Sequence, residues 1–235
     1  MRYQPVGQVV SIVVTGSLNP AIFSPAWLHL NSVINAAEFE AAKIVVIHPE
    51  VTDFTVDTLR LQVTAQRFTI ISSELPFIRI ADLASTIFGS LLPHTPVHQI
   101  GFNLQLHFNL ESPRQRWTLG RKLAPIEPWG SWGGDLNTVD FNRTGGMRTL
   151  AMEEVGPLDG RRGGFRRVTI EPSLLSNELK DAGIFMSVND HFELDKSAKD
   201  TNDLTKTVDE HFDKSIAVSS KIIADMMEFA GGLPK

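Results

Sequence analysis

Apolar positions change period repeatedly along the chain, and each change marks an element. Residues 8–18 are rich in valine and isoleucine and run into Gly16-Ser17-Leu18-Asn19-Pro20, a strand closed by a turn. Ser24 and Pro25 then supply an N-cap hydroxyl and a first-turn proline, and Trp27, Leu30, Ile34 and Ala37 recur at helical spacing, which predicts one helix reaching Ala42. Ile44-Val45-Val46-Ile47, stopped by Pro49, has the continuous apolar character of a short buried strand. Leu59, Leu61 and Val63 alternate with Arg60, Gln62 and Thr64, and Phe68 and Ile70 resume the alternation after a brief turn, which predicts two adjacent antiparallel strands. Residues 76–92 place Ile80, Leu83, Ala84, Ile87, Phe88 and Leu91 on one face of a second helix, ended by Pro93.

The longest period-two run is residues 97–110, with Ile100, Phe102, Leu104, Leu106, Phe108 and Leu110 on one side. The other side carries Gln99, Gly101, Asn103, Gln105, His107 and Asn109, a polar row without formal charge apart from any proton on His107. Ser112 and Pro113 repeat the cap and first-turn proline and open a helix through Trp117 and Leu123. Residues 125–146 show no periodicity and read as a long loop rich in tryptophan and glycine, with Trp129 and Trp132 inside it. Residues 147–155, 165–171 and 184–194 read as three strands. Residues 202–230 form the last helix, with Leu204, Val208, Phe212, Ile216, Ser219 and Ile223 along one stripe.

This pattern predicts an α+β class, with a largely antiparallel sheet, helices on one face and a long C-terminal helix. The element order is strand, helix, three strands, helix, and then the same again. Two organisations are compatible with it: a single α+β domain over residues 1–235, or two pseudo-repeats over 8–92 and 97–230.

The composition is that of an ordinary globular chain, 42% hydrophobic and 21% charged over 235 residues. A chain of this size buries enough surface to need no staple. The absence of cysteine removes thiol nucleophiles, Cys-based zinc sites and Fe–S clusters. Without an eighteen-residue apolar window or a secretory leader, a cytoplasmic protein away from membranes is expected. The formal charge of -5 is uneven. Residues 1–112 hold 5 basic and 8 acidic groups, residues 113–170 hold 10 and 6, and residues 171–235 hold 7 and 13. An acidic whole argues against a general nucleic-acid binder, whereas the basic middle leaves room for a local anion site.

No linear catalytic motif occurs: there is no G-x-S-x-G elbow, phosphate-binding glycine loop or H-E-x-x-H. No catalytic residue, metal or cofactor is therefore expected. His48, Glu50 and Asp53 fall together in what reads as a turn, and Asp190 and His191, adjacent on a strand, point to opposite faces. The segment Gly160-Arg161-Arg162-Gly163-Gly164-Phe165-Arg166-Arg167 is the densest charge cluster. Its arginines and Phe165 can grip phosphates and stack a base, or they can pair with Glu153, Glu154 or the acidic tail; Arg114, Arg116, Arg121, Arg143 and Arg148 can extend the patch. Trp129 and Trp132 are either a binding hot spot or caps on the end of the sheet. The row Gln99, Asn103, Gln105, His107 and Asn109 is either a solvated face or a polar seam against another surface.

The strings Ser17-Leu18-Asn19-Pro20-Ala21-Ile22-Phe23-Ser24-Pro25-Ala26-Trp27, His48-Pro49-Glu50-Val51, Leu61-Gln62-Val63-Thr64 with Phe68, and His94-Thr95-Pro96 resemble a sporadically distributed group of uncharacterised bacterial and phage proteins. The resemblance implies a bacterial or phage origin and brings no site residues with it. The element order resembles the duplicated saddle of TATA-box-binding proteins, a likeness of topology that carries no function. The leading expectation is a non-enzymatic interaction or assembly protein that binds a protein partner or itself. Nucleic-acid or anionic-ligand binding through the arginine hairpin stands second, and an enzyme without a linear motif third.

Overall fold

The computed structural model describes residues 3–136, 145–156, 162–176, 179 and 181–234, and gathers the alternating segments into one antiparallel sheet of nine strands. In chain order these are β1 (Gly7–Gly16), β2 (Lys43–His48), β3 (Val51–Val56), β4 (Leu59–Thr64), β5 (Arg67–Ser72), β6 (Val97–Asn109), β7 (Leu150–Val155), β8 (Gly164–Pro172) and β9 (Gly183–Glu193). Across the sheet they run β2-β3-β4-β5-β1-β6-β9-β8-β7. The β1–β6 pair is central, and on each side of it the chain returns strand by strand, so β2 and β7 form the two edges.

Helices α1 (Pro25–Leu30) and α2 (Ala36–Glu40) follow β1, and α3 (Ile78–Thr86) follows β5 and continues into a π-helical turn at Ile87–Leu91. Helices α4 (Pro113–Leu123) and α5 (Gly130–Asp135) follow β6, and α6 (Asn202–Gly231) closes the chain. Period two puts Val10, Ile12 and Val14 of β1 on the same sheet face as Phe68, Ile70, Ile100, Phe102, Met186 and Val188, all buried. Helices cover that face: Phe212 of α6 meets Phe102 edge-on at 5.5 Å, and Phe88 of the π turn meets Phe68 at 5.2 Å. Burying one such aromatic contributes roughly 1.5–3 kcal/mol, so this layer supplies most of what holds helices to sheet. Polar ties fix the helix ends. Gln115 of α4 accepts from Tyr3 Oη (3.0 Å) and donates to the Ala230 carbonyl of α6 (2.9 Å), and Thr201 Oγ1 donates to the Phe88 carbonyl (2.5 Å).

Several elements differ from the sequence pattern. The helix expected from Ser24 to Ala42 is two helices, broken where Ser32 adopts φ 57° and restarted by a capping box in which the side chains of Asn35 and Glu38 each accept from the other's backbone N–H. Residues 51–56 are a strand rather than a turn, so four strands, not three, follow α2. Residues 127–129 and 130–135 are short helical segments instead of irregular loop. β2 is not buried: it is an edge strand, and five of its six residues are exposed. No described helix is long and apolar enough to cross a membrane.

Candidate functional site

With every packed helix on one side, the opposite face of the sheet is open, and the polar row of β6 lies along its centre. Register sets Thr15, Ser11 and Val9 of β1 beside Gln99, Asn103 and Gln105, and Glu193, Asn189, Ser187 and Phe185 of β9 beside Gln99, Asn103, Gln105 and His107. Thr15 Oγ1 donates to Gln99 Oε1 (3.2 Å). Gly101 interrupts the row opposite His191, and the position a Cβ would take there lies 3.5 Å from Asn189 Oδ1, 3.9 Å from His191 Nδ1 and 4.0 Å from Asn103 Nδ2. The missing side chain leaves a small hollow floored by backbone and ringed by amide and imidazole groups. Asn189 Oδ1 is shielded from solvent and has no hydrogen-bond partner among the described residues. Asn109 is exposed at the end of the row, and Gln99, Asn103, Gln105 and His107 are half-buried by their neighbours.

His107 sits in its own recess, with Nδ1 2.8 Å from Ser173 Oγ and the ring 4.7 Å from Phe185. Arg148, Thr149, Glu171, Leu174 and Leu175 line the rest of it. Burial pushes the imidazole pKa down, so the neutral ring prevails at neutral pH. Ser173 is fully buried, which suits a fixed hydrogen-bond partner and not a nucleophile. Among the described residues no group of three or more His, Asp or Glu side chains is arranged to hold a metal ion.

The arginine hairpin is bound up in internal ion pairs. Arg161 lies outside the described residues. Arg162 reaches Asp195 (3.2 Å) and Asp203 (3.6 Å) at the start of α6. Arg166 turns toward the helices, 3.2 Å from the fully buried Asp190, whose Oδ2 also accepts from Ser215 of α6 (2.6 Å); Glu154 lies 3.7 Å away. Arg167 faces the open side, 2.5 Å from Glu153 and 4.7 Å above the Phe165 ring. Phe165 in turn stacks on His191 at 4.6 Å. The β7–β8 register sets Glu153 opposite Arg167 and Glu154 opposite Arg166, which brings these charges within reach of each other once the hairpin forms. A phosphate at Arg166 would have to displace a buried carboxylate. Asp190 and His191 do point to opposite faces, one to Arg166 and the other to Phe165.

Trp129 and Trp132 stand together, ring centroids 5.5 Å apart and steeply inclined, and they are 61% and 56% exposed. Gly133 makes this tight helical turn feasible, because a Cβ there would collide with the Ile126 carbonyl. The pair is presented outward and does not cap the sheet.

The pattern of the sequence did not bring out β2 as a surface feature. Ile44, Val45 and Ile47 are 58%, 68% and 44% exposed, and the outer backbone edge of β2 meets no strand among the described residues. Lys43 and His48 bracketing the apolar run are the only hint of this in the sequence. Comparison with protein-family models, with curated proteins and with solved structures finds no match to this chain.

Proposed function

We propose that this chain is a non-enzymatic assembly protein that joins a protein partner, in the first instance a second copy of itself, by adding strands at the edge of its sheet. The observation that carries the reading is the exposure of Ile44, Val45 and Ile47 on an edge strand with an open backbone ladder. Aligned antiparallel with a second copy about a two-fold axis, Ile44-Val45-Val46-Ile47 sets isoleucine against isoleucine and valine against valine, with Lys43 opposite His48. Such a pairing closes on itself, whereas β2 on β7 of another copy would propagate.

Magnitudes decide how strong the contact is. Three aliphatic side chains contribute at most about 1.5–3 kcal/mol each on full burial, against an association cost of about 4–15 kcal/mol. A bulge at Val45, where β2 loses register with β3, further limits the ladder. The edge alone therefore supports a concentration-dependent dimer, and the uncharged row of β6 and the tryptophan pair remain available to other protein surfaces. Light scattering across micromolar concentrations is the test. A dimer that V45K/I47K converts to monomer supports the reading; a wild-type protein that stays monomeric throughout overturns it, and open-ended growth overturns the two-fold arrangement.

A further inference from the structure

A cleft remote from the β2 edge lies between α4 and the ends of β8 and β9. Arg116, Trp117 and Arg121 line it from α4, Arg148 from the segment leading into β7, and Ile170 and Ile184 from the sheet. Spacings of three and four residues put Arg116, Trp117, Gly120 and Arg121 on one side of α4, so the helix presents two guanidinium groups and an indole together. Arg121 is anchored: Nη2 donates to the Leu136 carbonyl (2.5 Å), and its guanidinium lies 4.9 Å from the Trp117 ring centroid. Its Nε and Nη1 are shielded from solvent and have no hydrogen-bond partner among the described residues. Shielded guanidinium donors without a partner are costly, and a small turn of the side chain toward the cleft would bring them to an anion held there.

The other two arginines reinforce this. Burial lowers the pKa of Arg116 and the charge of Arg148 lowers it further, against the opposing pull of Asp181, so two like charges are held within each other's field. Arg148 is exposed and forms no ion pair among the described residues, in contrast to Arg162, Arg166 and Arg167 of the hairpin. Glu171, also on the wall, accepts from Thr149 (3.3 Å) and offsets part of the positive charge. The apolar walls, Trp117, Leu119, Met147, Ile170 and Ile184, suit an organic body more than a bare ion.

We infer that this cleft binds a small phosphomonoester with an aromatic or apolar body, its phosphate held by Arg116, Arg121 and Arg148 and its body laid against Trp117. Phosphate is preferred over carboxylate because guanidinium groups line the cleft from two separate segments, and a tetrahedral dianion can accept from several directions where a planar carboxylate accepts from one edge. The site is independent of the β2 edge, so either proposal can fail alone.

Calorimetric titration of the full chain with phenyl phosphate, inorganic phosphate and benzoate tests it. Phenyl phosphate should bind saturably and more tightly than inorganic phosphate, and benzoate more weakly than both. R148A, at an exposed side chain and with its fold checked by circular dichroism, should weaken phenyl phosphate about tenfold or more, and R121M should do at least the same. Absence of saturable phenyl phosphate binding up to about 10 mM, unchanged affinity in a folded R148A, or benzoate binding as tightly as phenyl phosphate would each overturn the assignment.

Discussion

Asp53 shows how one residue can mislead a local reading. An aspartate between Thr52 and Phe54 resembles turn chemistry, yet it lies in β3 and accepts from Arg60 at 2.9 and 2.6 Å and from Gln62 at 2.8 Å. Those partners lie seven and nine residues further on, across a hairpin, and face Asp53 only because residues 51–56 form a strand. The Arg60 hydrogen bonds, with help from Gln62 and against the cost of burial, hold the carboxyl pKa below its ordinary value of 3.8. A depressed folded pKa means the unfolded chain takes up the proton first, so the stabilisation is complete above 3.8 and is lost as pH falls through the lower folded value. With Arg60 half in water, D53N should cost roughly 0.5–1 kcal/mol at neutral pH. Melting curves of both proteins from pH 7 into strong acid should show that difference shrinking only below the ordinary carboxylate range. Arg166 carries the same lesson: its sequence neighbours suggest a charged hairpin tip, but the alternation of β8 turns it inward to Asp190.

At the scale of the element, helix starts were the most legible features. Ser24 and Ser112 accept from Trp27 N and Gln115 N at 3.1 Å, with Pro25 and Pro113 at the first helical positions, as the two Ser-Pro pairs predict. S112A should therefore cost about 0.5–2 kcal/mol, a fall in Tm of roughly 2–4 °C per kcal/mol in a chain of this size. Because α4 carries Arg116, Trp117 and Arg121, the same variant should also weaken phenyl phosphate binding, measured by the same titration. Unchanged Tm and affinity would show that the cap contributes nothing. Less legible were the break at Ser32, where an apolar stripe continues through a backbone reversal, and β2, whose unbroken apolar run is common to buried strands and to edges that meet a partner. The glycine-rich stretch around Trp132 failed differently: glycine usually marks loops, but here Gly133 permits a helical turn that leaves no room for a side chain at that one position.

For the whole molecule, the nine strands share one hydrogen-bonded sheet, and α6 packs on β6 and β9 while also contacting α3 of the other half. The two halves should therefore unfold together. Urea titrations followed by far-ultraviolet circular dichroism and by tryptophan fluorescence, which reports on Trp27 in one half and on Trp117, Trp129 and Trp132 in the other, should give coincident single transitions. Separate midpoints would show that the halves are independent units. The sequence by itself determined the class, most strand and helix positions, the caps and the side of the sheet that is buried, because a period of two or 3.6 residues records which face of an element leaves water. Only the tertiary structure decided that β2 lies at an open edge, that the hairpin arginines meet carboxylates, and that Arg116, Arg121 and Arg148 line one cleft. Those outcomes depend on pairings between segments distant along the chain, and burial periodicity carries no record of which segments will pair.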